Sequence, residues 1–178
     1  MLGRIFARST TKAQARALFD HLNAQARDAS LYGEGRTPDT PDGRFELVTL
    51  FAFVLFRRLS GRGAEADALA QGVFDILFKS FDQALRDLGV GDLSVGKRIR
   101  KLAESFYGRL AAYTDALDGG ATGAFEDVIA RNVLGRVRAE GGFEAVLAAR
   151  ALGWLAALEA LPDARVMAGV DLPDAGKP

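Results

Sequence analysis

Apolar side chains recur along most of this chain at intervals of three and four residues, the spacing that lines one face of a helix. The first series is Leu18, Phe19, Leu22, Ala26 and Ala29. It follows Thr11 and Gln14, a hydroxyl and an amide three residues apart that suit a capping box, and so predicts a helix from Thr11 to about Leu31. Residues 31–44, LYGEGRTPDTPDGR, break the period with three Gly and two Pro and predict an irregular connection. Thr40 before Pro41, or Asp42 before Gly43, would open the next helix.

The segment Phe45–Leu59, FELVTLFAFVLFRRL, behaves differently. Projected at about 100° per residue, its apolar side chains fall on every side, and a helix apolar all round has to be enclosed by others. Each Phe or Leu buried there contributes about 1.5–3 kcal/mol. Arg57 and Arg58 suit its C-terminal dipole, and Gly61 and Gly63 end it. From Ala64 to Leu88 the positions Leu69, Val73, Phe74, Leu77, Phe81, Ala84, Leu85 and Leu88 keep the helical period, with Gly89 placed to terminate it.

A fourth helix, capped by Asp92 or Ser94, carries Val95, Ile99, Leu102, Phe106, Leu110, Tyr113 and Leu117 on one face and ends at Gly119 and Gly120. Phe125, Val128, Ile129, Val133 and Val137 mark a fifth. Phe143, Val146, Leu147, Ala151, Trp154, Leu155, Leu158 and Leu161 mark a sixth, stopped by Pro162. No alternating strand run, repeat or low-complexity tract is found. The pattern predicts an all-α, single-domain bundle of six to seven helices around a central, fully apolar helix. Its parts are a basic N-terminal segment over residues 1–10, the helical domain over 11–162 and an extended tail over 163–178.

Composition narrows the function. With 178 residues, 49% hydrophobic and 26% charged, the chain suits one self-sufficient domain. Twelve Phe imply a thick core or a surface that receives something apolar. Lys and Arg total 23 against 23 Asp and Glu, so no whole-molecule field steers it to a polyanion. Cysteine is absent, which removes disulfides, thiolate metal sites and a Cys nucleophile. The single histidine, His21, lies beside the first helix's apolar face and reads as a packed imidazole; zinc sites built on several imidazoles are excluded. The apolar run Leu47–Phe56 spans about 15 Å as a helix, half of what a bilayer core needs. Arg4, Arg8, Lys12 and Arg16, with no acid before Asp20, resemble a transit or interfacial segment, and read more simply as a basic start to the first helix.

Candidate chemistry is thin. Gly91–Lys97 has the spacing of a phosphate-binding loop, but it follows a helix where a strand is needed, and Arg98 stands where the magnesium-binding hydroxyl belongs. Asp39, Asp42 and Glu46 lack the ligand order of a calcium loop and read as capping residues, so no metal is expected. Asp82 and Arg86, four apart, read as a surface ion pair. No nucleophile, base and orienter set is present, so no catalytic residue, cofactor or small-molecule substrate is expected. KRIRK, residues 97–101, on a helix entered through a short turn, superficially fits a helix-turn-helix, which keeps nucleic-acid binding as an alternative; zero net charge and Glu104 on the same face favour a solvated basic face.

A binding module is the remaining class. Two polar-aromatic clusters stand at helix ends: Tyr32, Arg36, Asp39, Asp42, Arg44 and Phe45, and then Asp92, Lys97, Arg98, Lys101, Tyr107 and Arg109, with Tyr113 a little further on.

The same clusters carry a resemblance. GRTPDTPDGRFELVTLFAFVLFRRL followed by FDQALRDLGVGDLSVGKRIRKLAESFYGRLAAY resembles the ubiquinol-cytochrome c chaperone family, with both the P-D-T-x-D-G-R-F and the L-R-x-x-G-V-G-D-L-x-V-G-K-R segments in order. The likeness runs from about Leu31 to Tyr113 and more loosely beyond. It implies an all-helical assembly factor that receives newly made cytochrome b during construction of the bc complex. Mitochondrial members work with a small partner and at the ribosomal tunnel exit. The compact length and lack of a recognisable leader suit a bacterial relative, cytoplasmic and peripheral on the inner membrane, for which the ribosome or a membrane surface are further candidate partners and nucleic acid is not the main one. Phe51 departs from the family pattern, standing where a histidine commonly follows the leucine matching Leu50, so a polar or haem-related role does not carry over there. On this reading an apolar client segment would lie against Tyr32, Phe45, Tyr107 and Tyr113, oriented by Arg44, Lys97, Arg98 and Arg109.

Overall fold

The computed structural model describes residues 2–139 and 141–176, with side chains from residue 10 onward apart from that of Leu93. Seven α-helices follow one another: α1 (Leu2–Ala26), α2 (Pro41–Leu59), α3 (Ala64–Asp87), α4 (Asp92–Asp118), α5 (Ala124–Val133), α6 (Phe143–Glu159) and α7 (Asp163–Ala168), with a 3₁₀ turn at Ala29–Leu31. No named strand occurs among the described residues. The fold is the all-α bundle that the periodicity predicts.

Helix α2 is its axis. The Thr40 hydroxyl accepts the Gly43 N–H at 3.1 Å and Pro41 occupies the first turn, so the sequence cap at Thr40 is the one used. Leu47, Leu50, Phe51, Ala52, Val54 and Leu55 are fully buried, and α1, α3, α4, α5 and α6 all pack on α2. Phe51 meets the Trp154 ring edge-on at 5.8 Å, and Phe53 touches Tyr113 and Phe125. Much of the phenylalanine content is therefore core.

Arg58 turns inward instead of simply trailing into the dipole. Its guanidinium donates to the carbonyls of Leu158 and Leu161 and to Asp163, tying the end of α2 to the end of α6.

Three boundaries differ from expectation. Helix α1 passes straight through Thr11 and starts at Leu2, because nothing between Arg4 and Thr11 breaks a helix; the side chains of Arg4 and Arg8 lie outside the described residues. It ends at Ala26, and the Asp28 carboxylate caps the following 3₁₀ turn through the Ser30 N–H at 2.9 Å. Helix α5 stops at Val133, where Gly135 takes a left-handed turn (φ 63°), leaving Val137 89% exposed. Residues 163–176 are more than an extended tail. They form α7 and then a strap held by polar contacts: Trp154 Nε1–H and His21 Nε2–H both donate to the Pro173 carbonyl, and Gln25 bonds Asp174 and the Ala175 N–H. Polar contacts, two of them to one backbone carbonyl, hold this strap, so no apolar period announces it.

Glu46 pairs with Arg109 and Arg57 with Asp118, so α2 and α4 run in the same direction. Measured from these contacts, α4 starts about twelve residues beyond α2, roughly 18 Å of helix. Helix α3 accompanies it antiparallel, with Phe78 against Phe106 and Arg86 reaching Asp92. Across residues 79–105 only Val95 is buried among the described side chains. The α3–α4 hairpin therefore leaves the bundle as a thinly packed arm. Its helices lie side by side, whereas the DNA-reading motif crosses its two helices at about 90–120°.

Candidate functional site

A groove of about 610 Å³ opens where the arm leaves the bundle. Ala26, Phe45, Val48 and Leu77 form its floor, and Phe81, Leu85 and Leu88 of the arm form one wall. The opposite wall is the connection after the 3₁₀ turn. That connection is fixed locally: Gly33 N–H donates to the Thr37 carbonyl and Thr37 N–H to the Leu31 carbonyl. Gly43 then lets the first turn of α2 approach the Pro38 carbonyl, where a Cβ would collide.

The groove is apolar below and charged along its rim, with Arg27, Asp39, Asp42, Arg44 and Asp87 around it. Arg44 Nε donates to Asp39 at 2.7 Å and holds that carboxyl below its usual range. The Tyr32 hydroxyl donates to the Ala26 carbonyl at 2.7 Å, and burial pushes its phenol up. Phe45 meets Phe81 at 5.5 Å, and the contact continues through Phe78 and Phe74 to Tyr107 on α4. Leu88, at the arm's end, is 65% exposed.

Five of the sequence-derived site residues, Tyr32, Asp39, Asp42, Arg44 and Phe45, line this groove. Phe45 shows only an edge, being 8% exposed. Arg36 lies outside, donating to the Ser30 carbonyl and standing over the Phe143 ring. Asp92 is held at the arm's end by Arg86, which also pairs with Asp82. Lys97, Arg98 and Lys101 are exposed on α4 away from the groove, and Tyr107 is exposed beside Phe74.

Two expected contact residues serve the bundle. Tyr113 is fully buried between Phe53 and Phe125 and presents no surface to a client, because the period that put it on α4's apolar face also put it against α2. Arg109 is committed to Glu46. Phe51, at the position where the family pattern departs, is core.

Phe81, Leu85 and Leu88 were read as core positions from their spacing. The overlooked signal is length: α3 has 24 and α4 27 residues against 19 for α2, so their far ends had no partner.

Nothing in the groove suggests bond-making chemistry. Its carboxylates, Asp39, Asp42 and Asp87, are rim groups, Asp39 is tied to Arg44, and no cluster among the described residues could hold a metal ion. An apolar trough with charged edges is suited to receiving apolar side chains of another molecule.

Residues 34–171 match the ubiquinol-cytochrome c chaperone family. The crystal structure of the Cbp3 homolog from Brucella abortus superposes with a TM-score of 0.82 at 34% identity, covering 96% of this chain and 94% of that one. No curated protein matches the sequence. The groove, the arm and the seven-helix bundle that carries them are thus those of a chain that belongs to the ubiquinol-cytochrome c chaperone family.

Proposed function

We propose that this chain binds newly made cytochrome b during assembly of ubiquinol-cytochrome c reductase and shelters an apolar segment of it in the groove between the 32–40 connection and the α3–α4 arm. The family supports a chaperone role in assembling that complex. The observation that carries the finer reading is the exposed apolar wall, Leu88 above Phe81 and Leu85, facing a rim that alternates acid and base. Exposed apolar patches of this kind commonly mark interaction sites. A membrane segment before insertion has apolar surface to cover and polar ends to orient, and the groove offers both. The thin packing of the arm lets its wall adjust at small cost, as expected of binding elements drawn from the less stable parts of a fold.

Asp42, Arg44 and Arg27 on the rim, and Tyr32 on the connection, would orient the polar ends of the client segment. The role asks for binding and release, with no bond made or broken, and no helix among the described residues is long and apolar enough to cross a membrane itself.

The test is capture of cytochrome b from solubilised membranes by the tagged wild-type chain and by Leu88→Asp. Wild type should retain cytochrome b at low and high salt, since the floor is apolar, and the variant should lose it. Equal capture by both would remove the groove from the reading.

A further inference from the structure

Helix α4 carries a second surface that client capture leaves unused. Lys97, Arg98, Arg100 and Lys101 are all exposed and fall within about 160° of arc at 100° per residue. No ion pair among the described residues involves any of the four, although arginines elsewhere, such as Arg86, Arg109 and Arg138, each hold a carboxylate. The acids of the arm lie mostly on the other side. Asp92 stands about 140° round the helix from Lys97 and, with Asp82, is taken by Arg86; Asp87 accepts from Gln83 on α3. Glu104 alone shares the face, one turn further from the arm's end. The chain's net charge is zero, so this is a local concentration of positive charge.

An amphipathic group borders it: Tyr107, 57% exposed, lies at its lower edge. We propose that this face of α4 docks on an anionic lipid surface, which goes beyond the client reading and stands without it.

Each Lys or Arg near an anionic bilayer is worth about 1 kcal/mol, and four uncommitted ones on a projecting helix form a contact that needs no rearrangement of the bundle. Their long stems let the charged heads reach lipid phosphates while the stems lie along the interface. A tyrosine at the border suits the headgroup boundary, where one end of a side chain is apolar and the other wet. Nucleic acid, the other common polyanion, is favoured less, because the antiparallel α3–α4 pair is not a groove-reading motif. Leu102, which lines the groove, is about 140° from Lys97. Docking by the outer face would leave the groove open beside the membrane.

Flotation with lipid vesicles tests this. Wild type should float with phosphatidylcholine vesicles containing about 30% phosphatidylglycerol, stay behind with phosphatidylcholine alone, and be released as salt rises from about 50 to about 300 mM. Lys97→Ala/Lys101→Ala should weaken binding about thirtyfold, and Arg98→Gln/Arg100→Gln, which changes different exposed side chains, should do the same. Unchanged cytochrome b capture by these variants separates the lipid face from the groove. Equal flotation with neutral vesicles, or variants that float as wild type does, would overturn the proposal, as would duplex binding that exceeds vesicle binding and is lost in the same variants.

Discussion

Glu46 of α2 accepts two hydrogen bonds from Arg109 of α4, from Nε–H at 3.1 Å and from an Nη2–H at 2.8 Å. The pair sits where the arm leaves the bundle and fixes how far α4 runs past α2. Glu46 is the more enclosed partner, its side chain 11% exposed against 31% for Arg109. Burial pushes the Glu46 carboxyl above its ordinary value in spite of Arg109.

The two partners should therefore respond unequally to mutation. Arg109→Met leaves a buried carboxylate unpaired and should cost about 3 kcal/mol, a fall of roughly 6–12 °C in Tm for a domain of this size. Without Arg109 the carboxyl rises further. Its folded value then exceeds the unfolded one by more, so the variant should be most stable in mild acid and lose stability as pH rises through the folded value. Glu46→Gln keeps one acceptor oxygen for Arg109, which is exposed enough to hydrate its other N–H, while removing the desolvated charge, and should cost about 1 kcal/mol. Thermal melts from pH 5 to pH 8 decide; equal losses for the two variants would contradict this account.

Tyr113 lies one helical turn beyond Arg109 with its hydroxyl buried and without a hydrogen-bond partner among the described residues. Burial, with the Glu46 charge adding to it, pushes the phenol up. Tyr113→Phe keeps the ring contacts with Phe53 and Phe125 and removes a hydroxyl that Asn132 attracts without a hydrogen bond of proper geometry. Stability should stay level or rise by about 1 kcal/mol, read from denaturant midpoints. A loss of that size would show that the hydroxyl is satisfied in solution.

The bundle was legible in the sequence because its helices announce themselves by period and punctuation: Thr40 and Pro41 open α2, and Gly89 closes α3 with φ 78°. A central α2 followed from the absence of any polar face between Phe45 and Phe56. The groove was half legible. Tyr32, Asp39, Asp42, Arg44 and Phe45 stood out as a polar-aromatic cluster, yet spacing alone could not separate Tyr113, which faces α2, from half-buried Leu85 and exposed Leu88, which line the groove. Period tells which side of a helix is apolar; only relative helix length and register tell whether anything covers it. The C-terminal strap left no pattern because Pro173 contributes a carbonyl, a group every residue carries.

Asp28 and Arg150 join the first connection to α6. Arg150 donates to the Asp28 carboxylate at 2.8 Å with its own side chain 4% exposed, and the Ser30 N–H and hydroxyl donate to the same carboxylate. These bonds, that from Arg150 foremost, lower the Asp28 pKa to about 2. A depressed carboxyl adds stability that is present above its unfolded value, near 4, and is lost as pH falls from there toward about 2. Asp28→Asn should flatten this part of the pH–stability curve and cost about 2 kcal/mol at neutral pH, since it weakens the neutralisation of a buried guanidinium. Acid titration of the two proteins, followed by circular dichroism, checks the slope.

Gly43 supplies the sharpest link between backbone and groove. It lies in the first turn of α2, and a Cβ there would run into the carbonyl oxygen and carbon of Pro38, backbone atoms that cannot swing aside. Gly43→Ala must therefore shift Pro38 to Thr40, the segment that places Asp39 beside Arg44 and lends the Thr40 hydroxyl to the Gly43 N–H. Loss of that cap alone is worth about 1 kcal/mol, and steric strain adds to it. The wall carrying Asp39 and Arg44 moves with the segment, so capture of cytochrome b should weaken at least about tenfold, a change of about 1.4 kcal/mol. Gly35→Ala is the control. Gly35 adopts φ 70° but its Cβ would meet open space, so substitution brings strain of about 1 kcal/mol without displacing the wall. The two variants should lose comparable stability and differ in capture. If both capture as wild type does, the connection is scaffolding and the client is held by the arm alone.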